Sequence, residues 1–327
     1  MENIDFVVTW VDFQDPVWKA KYNEYRPQRL NLTNNEIRYR DYGTFKYWFR
    51  SVEKYAPWVN KIFLVTDKQV PEWLNTNNDK LVIVDHTDFI DPEFLPTFNS
   101  SVIELNIANI KQLSEKFVLF NDDMFLNDVV KKEDFFKNGM PVDFGTFQPT
   151  MPTTEFTHIL INDLLLINDW FENRVIVKKN FKKYFSIKYG AKRLAEAATM
   201  LPYRKIAGFY DAHISSPYLK STFKKVLKMA DDDFKKTETH KFRNNNDINE
   251  WLIKYYQFCS GQFEPQRKTF GSFYELTDRN YFIQDIEKSK SKVVCVNDVE
   301  SPDLDVTMNL LRKTLQKKLP NKSSFER

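Results

Sequence analysis

The stretch Phe117-Val118-Leu119-Phe120-Asn121-Asp122-Asp123-Met124-Phe125-Leu126 sets two adjacent carboxylates between apolar residues. Acids in such surroundings are costly to bury unless something cationic pairs with them. Phe117 to Phe120 reads as a strand, and the carboxyl end of a strand is where an α/β sheet places its ligands. Mg2+ or Mn2+ would suit Asp122 and Asp123. Such a cation takes one or two carboxylates and fills its other positions with phosphate oxygens and water. A nucleotide diphosphate is the natural companion. Asn-Asp-Asp is also good turn chemistry after a strand, so this stretch alone leaves both readings open.

Other residues could complete such a site. His213 titrates near neutrality, which suits removing a proton from a hydroxyl, although a lone histidine is more often packed or capping. His86 follows a strand and reads as a turn residue; His158 and His240 stand in no pattern. Arg243 lies in a short polar loop, where a guanidinium could bind phosphate oxygens in bidentate fashion or simply face solvent. Arg40 and Arg50 are ten residues apart, near three helical turns, so both could face phosphate or enter a buried ion pair. Arg50 could equally pair with Glu53 on a helix surface. Glu104 flanks an apolar stripe; it either orders the loop near the acids or is a first-turn acid favoured by the helix dipole. Trp10 and Asp12, at the end of the first strand, could stack on a base and hold ribose hydroxyls. Trp10 could as well be core.

These residues need a scaffold. Ile4 to Trp10 is a short, β-branched, mostly apolar run, as expected of a buried strand. Asp12, Asp15 and Pro16 break it, and a helix is expected from Pro16. Phe45, Trp48, Phe49, Val52 and Ala56 fall at helical spacing, predicting a helix from about Arg40 to Tyr55 that ends at Pro57. Ile62 to Val65 and Leu81 to Val84 read as strands. A helix over Ser101 to Leu113 would bury Ile103, Ile107 and Ile110. Strands and helices therefore alternate, implying βαβ units and a mostly parallel sheet covered on both faces. The second half reads as mainly helical: Ala191 to Met200, Ser216 to Lys228 and Asp247 to Phe258. Lys178 to Lys188 is basic and aromatic, Lys288 to Lys292 is a charged linker candidate, and Leu310 to Lys318 is a short basic amphipathic helix. That last helix reads as an ordinary solvated one, with a membrane-surface contact as the alternative.

The chain has 327 residues, with 29 Phe and 15 Tyr but only 7 Gly. That excludes collagen-like and Gly-rich disordered classes. No Gly-rich phosphate loop of the dinucleotide-binding or P-loop type occurs. Charge is nearly balanced, at +3, so a nucleic-acid partner is not expected. Cys259 and Cys295 cannot build a disulfide framework or a zinc cluster. Together with the absence of a leader-like or membrane-spanning run, this points to a reduced, cytoplasmic protein.

Several blocks resemble the Stealth family. Ile4-Asp5-Phe6-Val7-Val8-Thr9-Trp10-Val11-Asp12 with Asp15-Pro16 and Trp18 is similar to its first signature region. Arg38-Tyr39-Arg40-Asp41, Arg50-Ser51-Val52-Glu53-Lys54-Tyr55-Ala56-Pro57-Trp58-Val59, Leu95-Pro96-Thr97-Phe98-Asn99-Ser100, Ile103-Glu104 and Phe120-Asn121-Asp122-Asp123 are similar to the second. His213 with Pro217-Tyr218 resembles the third. Lys241-Phe242-Arg243-Asn244 with Asp247 and Tyr255-Tyr256 resembles the fourth. The matches run from about residue 4 to 262, four fifths of the chain. Two departures, Phe13 after Asp12 and Asp41-Tyr42-Gly43-Thr44-Phe45, lie where donor contacts are expected.

The resemblance implies transfer of a sugar-1-phosphate from a nucleotide sugar, UDP-linked by expectation, to a hydroxyl of a saccharide or lipid-linked glycan. The product is a phosphodiester of capsular or cell-wall polysaccharide, and UMP leaves. It implies His213, Arg243, Asp122 and Asp123 as catalytic residues, Asp122 and Asp123 also as ligands of Mg2+ or Mn2+. Trp10, Asp12, Arg40, Arg50, Asn99, Glu104 and Asn121 are the expected substrate-binding set. The expected fold is α/β, a mostly parallel Rossmann-like or GT-A-like sheet flanked by helices with a helical second half. Residues 1–150 would bind donor and metal, 151–275 would complete the active site, and 276–327 would be a C-terminal extension. Peripheral contact with the inner face of the plasma membrane is part of this expectation. Two rivals stay open: a metal-dependent glycosyltransferase releasing UDP, and a non-catalytic glycan-binding protein.

Overall fold

The computed structural model describes residues 2–27 and 39–327; Arg38 of the second motif lies outside them. The strands are β1 (Ile4–Thr9), β2 (Ile62–Thr66), β3 (Leu81–Asp85), β4 (Lys116–Asn121), β5 (Met124–Leu126), β6 (Phe136–Lys137), β7 (Met140–Asp143), β8 (Ser216–Leu219), β9 (Glu264–Pro265), β10 (Gly271–Glu275) and β11 (Val293–Asn297). A five-stranded sheet has the order β3-β2-β1-β4-β8. Its first four strands are parallel and β8 runs antiparallel at one edge. The α/β class and mostly parallel sheet expected from the sequence are therefore present. Two three-stranded sheets, β10-β11-β5 and β6-β7-β9, flank it.

The helices are α1 (Pro16–Tyr25), α2 (Phe45–Tyr55), α3 (Ser100–Asn106), α4 (Lys132–Phe135), α5 (Thr157–Trp170), α6 (Asn173–Tyr184), α7 (Ala191–Ala198), α8 (Lys220–Met229), α9 (Asp231–Glu238), α10 (Trp251–Ser260), α11 (Arg279–Lys288) and α12 (Leu304–Lys318). Strand side chains alternate between two cores, as a period of two requires. Phe6, Val8, Leu64, Val118 and Phe120 face α2, β11 and α12. Val7, Phe63, Val65, Phe117 and Leu119 face α3, α5, α8 and α10. Burial on both faces explains why these strands read as unbroken apolar runs.

Three sequence expectations change. The helix expected from Arg40 begins at Phe45, because Asp41-Tyr42-Gly43 form a turn in which Gly43 has φ +67°. Arg40 thus lies outside the helix that carries Arg50. The helix expected from Ser216 begins at Lys220, with Ser216–Leu219 pairing with β4 as a strand. Residues 276–327 supply β11 to a sheet and α12 to the first core, rather than trailing from the domain. Among the described residues, no helix is long and apolar enough to cross a membrane.

Candidate active site

Asp122 and Asp123 form the tight turn between β4 and β5, just beyond Asn121 at the carboxyl edge of the sheet. Neighbouring β11 holds this turn: Val296 N–H donates to the Asp123 carbonyl at 3.0 Å, and the Cys295 thiol lies against the Asp123 carboxylate. Asp298 follows at the end of β11. Its carboxylate accepts from the Tyr42 hydroxyl and stands 4.0 Å from Arg40. Desolvation drives Asp122 well above the ordinary carboxylate range, and the charges of Asp123 and Asp41 add to this. Desolvation also raises Asp123, with Asp298 adding to it while His213 and Cys295 oppose. One buried oxygen each of Asp123 and Asp298 has no hydrogen-bond partner. Asp41 is raised as well, by burial and by Asp12. The cleft is short of positive charge.

His213 stands opposite. Its backbone is in the left-handed region at φ +45°, a conformation that side chains adopt only when the surroundings impose it. Its Nδ1 lies 3.7 Å from Asp211, and the ring meets Phe273 and Trp251 edge-on at 5.1 and 6.2 Å. Asp211 is pinned in turn by Lys254 Nζ at 3.2 Å, and Lys254 reaches Asp143 at 3.7 Å. Lys254 is 4% exposed, a lone cation on the otherwise apolar helix α10. Burial lowers the basicity of His213, but the Asp211 and Asp123 carboxylates outweigh it and the net direction is up. Burial works to raise Asp211; Lys254 and His213 overcome this and hold it well below the usual range. With Nδ1 turned to Asp211, Nε2 is the nitrogen left for a substrate.

Arg243 lies on the adjoining wall. Its Nε donates to Ser100 Oγ at 3.1 Å and its guanidinium sits 5.6 Å from the Phe156 ring centre. Phe156 touches Trp251, the ring that also touches His213. The loop carrying Arg243 is tied around Asp247, which is fully buried. Asp247 accepts from Asn244 N–H and Asn99 Nδ2, each at 2.8 Å, and pairs with His240 Nδ1 at 2.6 Å. An aromatic cluster of Phe13, Trp18, Tyr22, Phe98 and Phe242 clamps the residues beside Asn99 and Arg243 together. Glu104 is held well up by desolvation and by Glu250, whose carboxyl it meets, with the Arg243 charge opposing.

The structure sorts the sequence candidates by place. Asp122, Asp123, Asn121 and His213 gather at one end of the sheet, and Arg243 and Glu104 line its wall. Asp12 stands beside Asp41, its backbone held by Gln69 at 3.0 and 2.8 Å. Trp10 is 7% exposed and stacks on Phe45 at 5.7 Å. Its face is therefore core, and only Nε1 is aimed at Asp41, outside good hydrogen-bond geometry. Arg40 sits at the rim with Asp298. Asn99 does not face the cleft: it is fully buried, caps α3 and holds Asp247. Arg50 is also turned away, ion-paired with Glu326 at 2.7 Å and bonded to the Leu319 carbonyl at 2.8 Å. Both belong to the framework, because every polar atom they could offer a substrate is already committed.

Sequence reading missed Asp211, Lys254 and Asp298. Each had a visible signal. Val293-Val294-Cys295-Val296-Asn297-Asp298 repeats the pattern of β4, an apolar strand ending in Asn-Asp. Asp211 lies two residues before His213, and Lys254 interrupts an apolar helix. Among the described residues, no three of His, Cys, Asp and Glu converge into a metal cage. The donor set fits a looser mode, one or two carboxylates with phosphate and water completing the shell, and the unpartnered oxygens of Asp123 and Asp298 are available for it.

The model of Stealth protein conserved region 2 matches residues 38–143. Over 333 residues the chain is 48% identical to the capsular polysaccharide phosphotransferase WcwK of Streptococcus pneumoniae, covering 100% of this chain and 99% of that one. It is 42% identical to the exopolysaccharide phosphotransferase cps2G of Lactiplantibacillus plantarum, over 99% and 96% of the two chains. It is 39% identical to the receptor polysaccharide phosphotransferase WefC of Streptococcus oralis, over 100% of both. Its structure is similar to that of the galactosyltransferase LgtC at a TM-score of 0.43 and 10% identity, covering 96% of this chain and 95% of that one. On end-to-end identity at this level, the chain belongs to the Stealth family and is an enzyme of its phosphotransferase class.

Proposed function

We propose that this enzyme moves hexose- or N-acetylhexosamine-1-phosphate from a nucleotide sugar, UDP-linked, onto a sugar hydroxyl of a growing capsular or cell-wall polysaccharide. The acceptor oxygen attacks the β-phosphorus of the donor. The bond from that phosphorus to the bridging oxygen breaks, and UMP leaves with the oxygen. The sugar C1–O bond is untouched, so the anomeric configuration is retained. His213 Nε2 takes the hydroxyl proton, and Asp211 stabilises the imidazolium that forms. Arg243, steadied by Ser100, binds phosphate oxygens on the flank of the reacting centre. Mg2+ or Mn2+ held by Asp122 and Asp123 would supply charge neutralisation on the diphosphate, the main requirement of phosphoryl transfer. A cytoplasmic location is part of this proposal, supported by the two buried, unbonded thiols Cys259 and Cys295.

The observation that carries the reading is the pairing of opposites across one cleft. An under-neutralised carboxylate pair faces a histidine with its own carboxylate, and an arginine stands on the shared wall. Sugar binding alone needs none of these. Product analysis tests it: the purified chain is incubated with a panel of UDP-sugars, an oligosaccharide acceptor and Mg2+ or Mn2+. UMP with an acceptor that gains hexose plus phosphate is expected. UDP with an acceptor that gains only hexose would replace this reading with an ordinary glycosyltransferase.

A further inference from the structure

The sequence from Asn173 to Ala195 holds eight Lys and Arg and no Asp or Glu, while the rest of the chain is net negative. It forms α6, a short turn at Ile187–Tyr189 and the start of α7. One side of it is anchored. Ile176 and Tyr184 are buried, and the Tyr184 hydroxyl donates to the Phe258 carbonyl at 2.6 Å. Four of the cations serve this anchoring. Lys183 Nζ donates to the Gly261 and Phe263 carbonyls at 2.8 and 2.7 Å, and Lys188 Nζ to the Pro265 carbonyl at 2.8 Å. Arg193 pairs with Glu196 at 2.7 Å, and Arg174 reaches the Pro202 carbonyl at 3.3 Å.

The other four point elsewhere. Lys178, Lys179, Lys182 and Lys192 are exposed, and none has an ion-pair partner among the described residues. Between them stand apolar side chains that nothing covers: Val175 at 46% exposure, Phe181 at 51% and Ile187 at 87%. Phe181 stacks on Phe185 at 4.6 Å, which holds its ring in place. The surface, kinked at Asn180 where α6 leaves helical geometry, thus presents unpaired lysines among aliphatic and aromatic side chains.

We propose that this surface docks the enzyme on an anionic lipid bilayer. Lysines near such a surface are drawn to acidic headgroups, each strengthening binding on the order of fivefold. Apolar side chains on the same face enter the boundary between headgroups and acyl chains. Charge complementarity alone would also suit a polyanionic glycan or nucleic acid. Ile187 decides against those, because an aliphatic side chain gains nothing from a hydrated polyanion and gains burial from lipid. The alternative helix, α12, exposes Val306 and Leu310 beside Lys313, but it offers fewer free cations: Lys317 pairs with Glu287, Arg312 donates to the Tyr42 carbonyl, and the acidic Asp305 lies exposed in its first turn.

The inference does not rest on the phosphotransferase reading, and its test does not use turnover. The full chain is sedimented with vesicles of phosphatidylcholine alone or with about one third phosphatidylglycerol, at low and high salt. Binding to the anionic vesicles, weakened by salt, is expected. The triple variant Lys178→Glu, Lys179→Glu, Lys182→Glu should bind at least ~10-fold more weakly. Phe181→Ser with Ile187→Ser should also bind more weakly, with its salt dependence retained. Lys313→Glu with Lys317→Glu, on α12, should bind like the parent. All these positions are exposed, and melting curves verify folding. Equal binding to both vesicles, or an unaffected lysine variant, overturns the proposal. A lysine effect without a Phe181 and Ile187 effect assigns the surface to a soluble polyanion and overturns it as well.

Discussion

Asp122 carries its charge where solvent is scarce and two other carboxylates are near, so its proton affinity in the folded chain exceeds that in the unfolded chain. For such a group, stability is greatest at low pH and is lost as pH rises through the raised folded value. Asp122→Asn removes the cost, so it should melt higher than the parent at pH 7.5, with the difference closing as pH falls toward the ordinary aspartate pKa of about 4, while turnover falls by about 100-fold or more. Mg2+ with UDP should raise the parent's melting temperature and leave the variant unmoved, and metal removal by chelation should abolish turnover of the parent. Equal melting of parent and variant at pH 7.5 would show that the Asp122 charge carries no such cost. His213 offers the opposite sign. Asp211 raises its basicity, and a base works only when deprotonated. Activity should therefore rise with pH through the raised value. Asp211→Asn should move the acid limb of the kcat/KM profile to lower pH and lower its plateau, and His213→Ala should remove the limb. An unmoved limb in Asp211→Asn would exclude His213 as the group that titrates.

At the scale of elements, the loop between α9 and α10 exists to hold Arg243, and Asp247 holds the loop. Asp247→Ala leaves the Asn244 N–H and Asn99 amide without their acceptor, a cost of about 1–3 kcal/mol each when buried. The expected result is a lower melting temperature with a raised donor KM, and Asp247→Asn, which keeps an acceptor oxygen, should recover part of both. Steady-state kinetics beside melting curves would read this. Such elements were unevenly legible in the sequence. Strands β1 to β4 were plain because burial on both faces leaves a continuous apolar run. Ser216-Pro217 imitates a helix start, since Pro fits the first helical turn; pairing with β4 makes it an edge strand, where Pro is also tolerated. Asn99 was found as a motif residue but not as framework, whereas for Arg50 the buried ion pair was one of the readings left open, and the structure has it. A motif records that a residue type is required, and a buried cap or ion pair requires it as strictly as a substrate does. Lys254 and Asp211 were missed because their separate signals do not point to one another along the chain; only the fold brings α10, with Lys254, against the segment that carries Asp211 and His213.

For the whole molecule, the decisive fact is that the chain closes on itself. The C-terminal residues return to α2 near the middle of the first core: Phe325 is buried against Phe49 at 5.3 Å, and Arg327 N–H donates to the Trp73 carbonyl at 2.9 Å. Glu326 accepts from Arg50 through both oxygens, at 2.8 and 2.7 Å, with side chains only 4% and 7% exposed. The carboxylate of Glu326 is pulled below its ordinary range; burial works against this, and the Arg50 hydrogen bonds and the Ser323 amide overcome it. Its contribution to stability is therefore present above the unfolded pKa and lost as pH falls through the depressed folded value. Glu326→Gln removes the charge and keeps the shape, so Arg50 stays buried with an uncompensated charge. Breaking a buried pair in this way costs about 3–5 kcal/mol, a fall in Tm of roughly 6–10 °C at about 2 °C per kcal/mol. Because Arg50 and Glu326 lie away from the cleft, kcat/KM below the new melting range should stay within about twofold of the parent. That separation distinguishes a closing clasp from a substrate-binding arginine. A large loss of kcat/KM with little change in Tm would return Arg50 to the active site. The expected result would instead make the last residues of the chain part of what holds the sheet that carries Asp122 and Asp123.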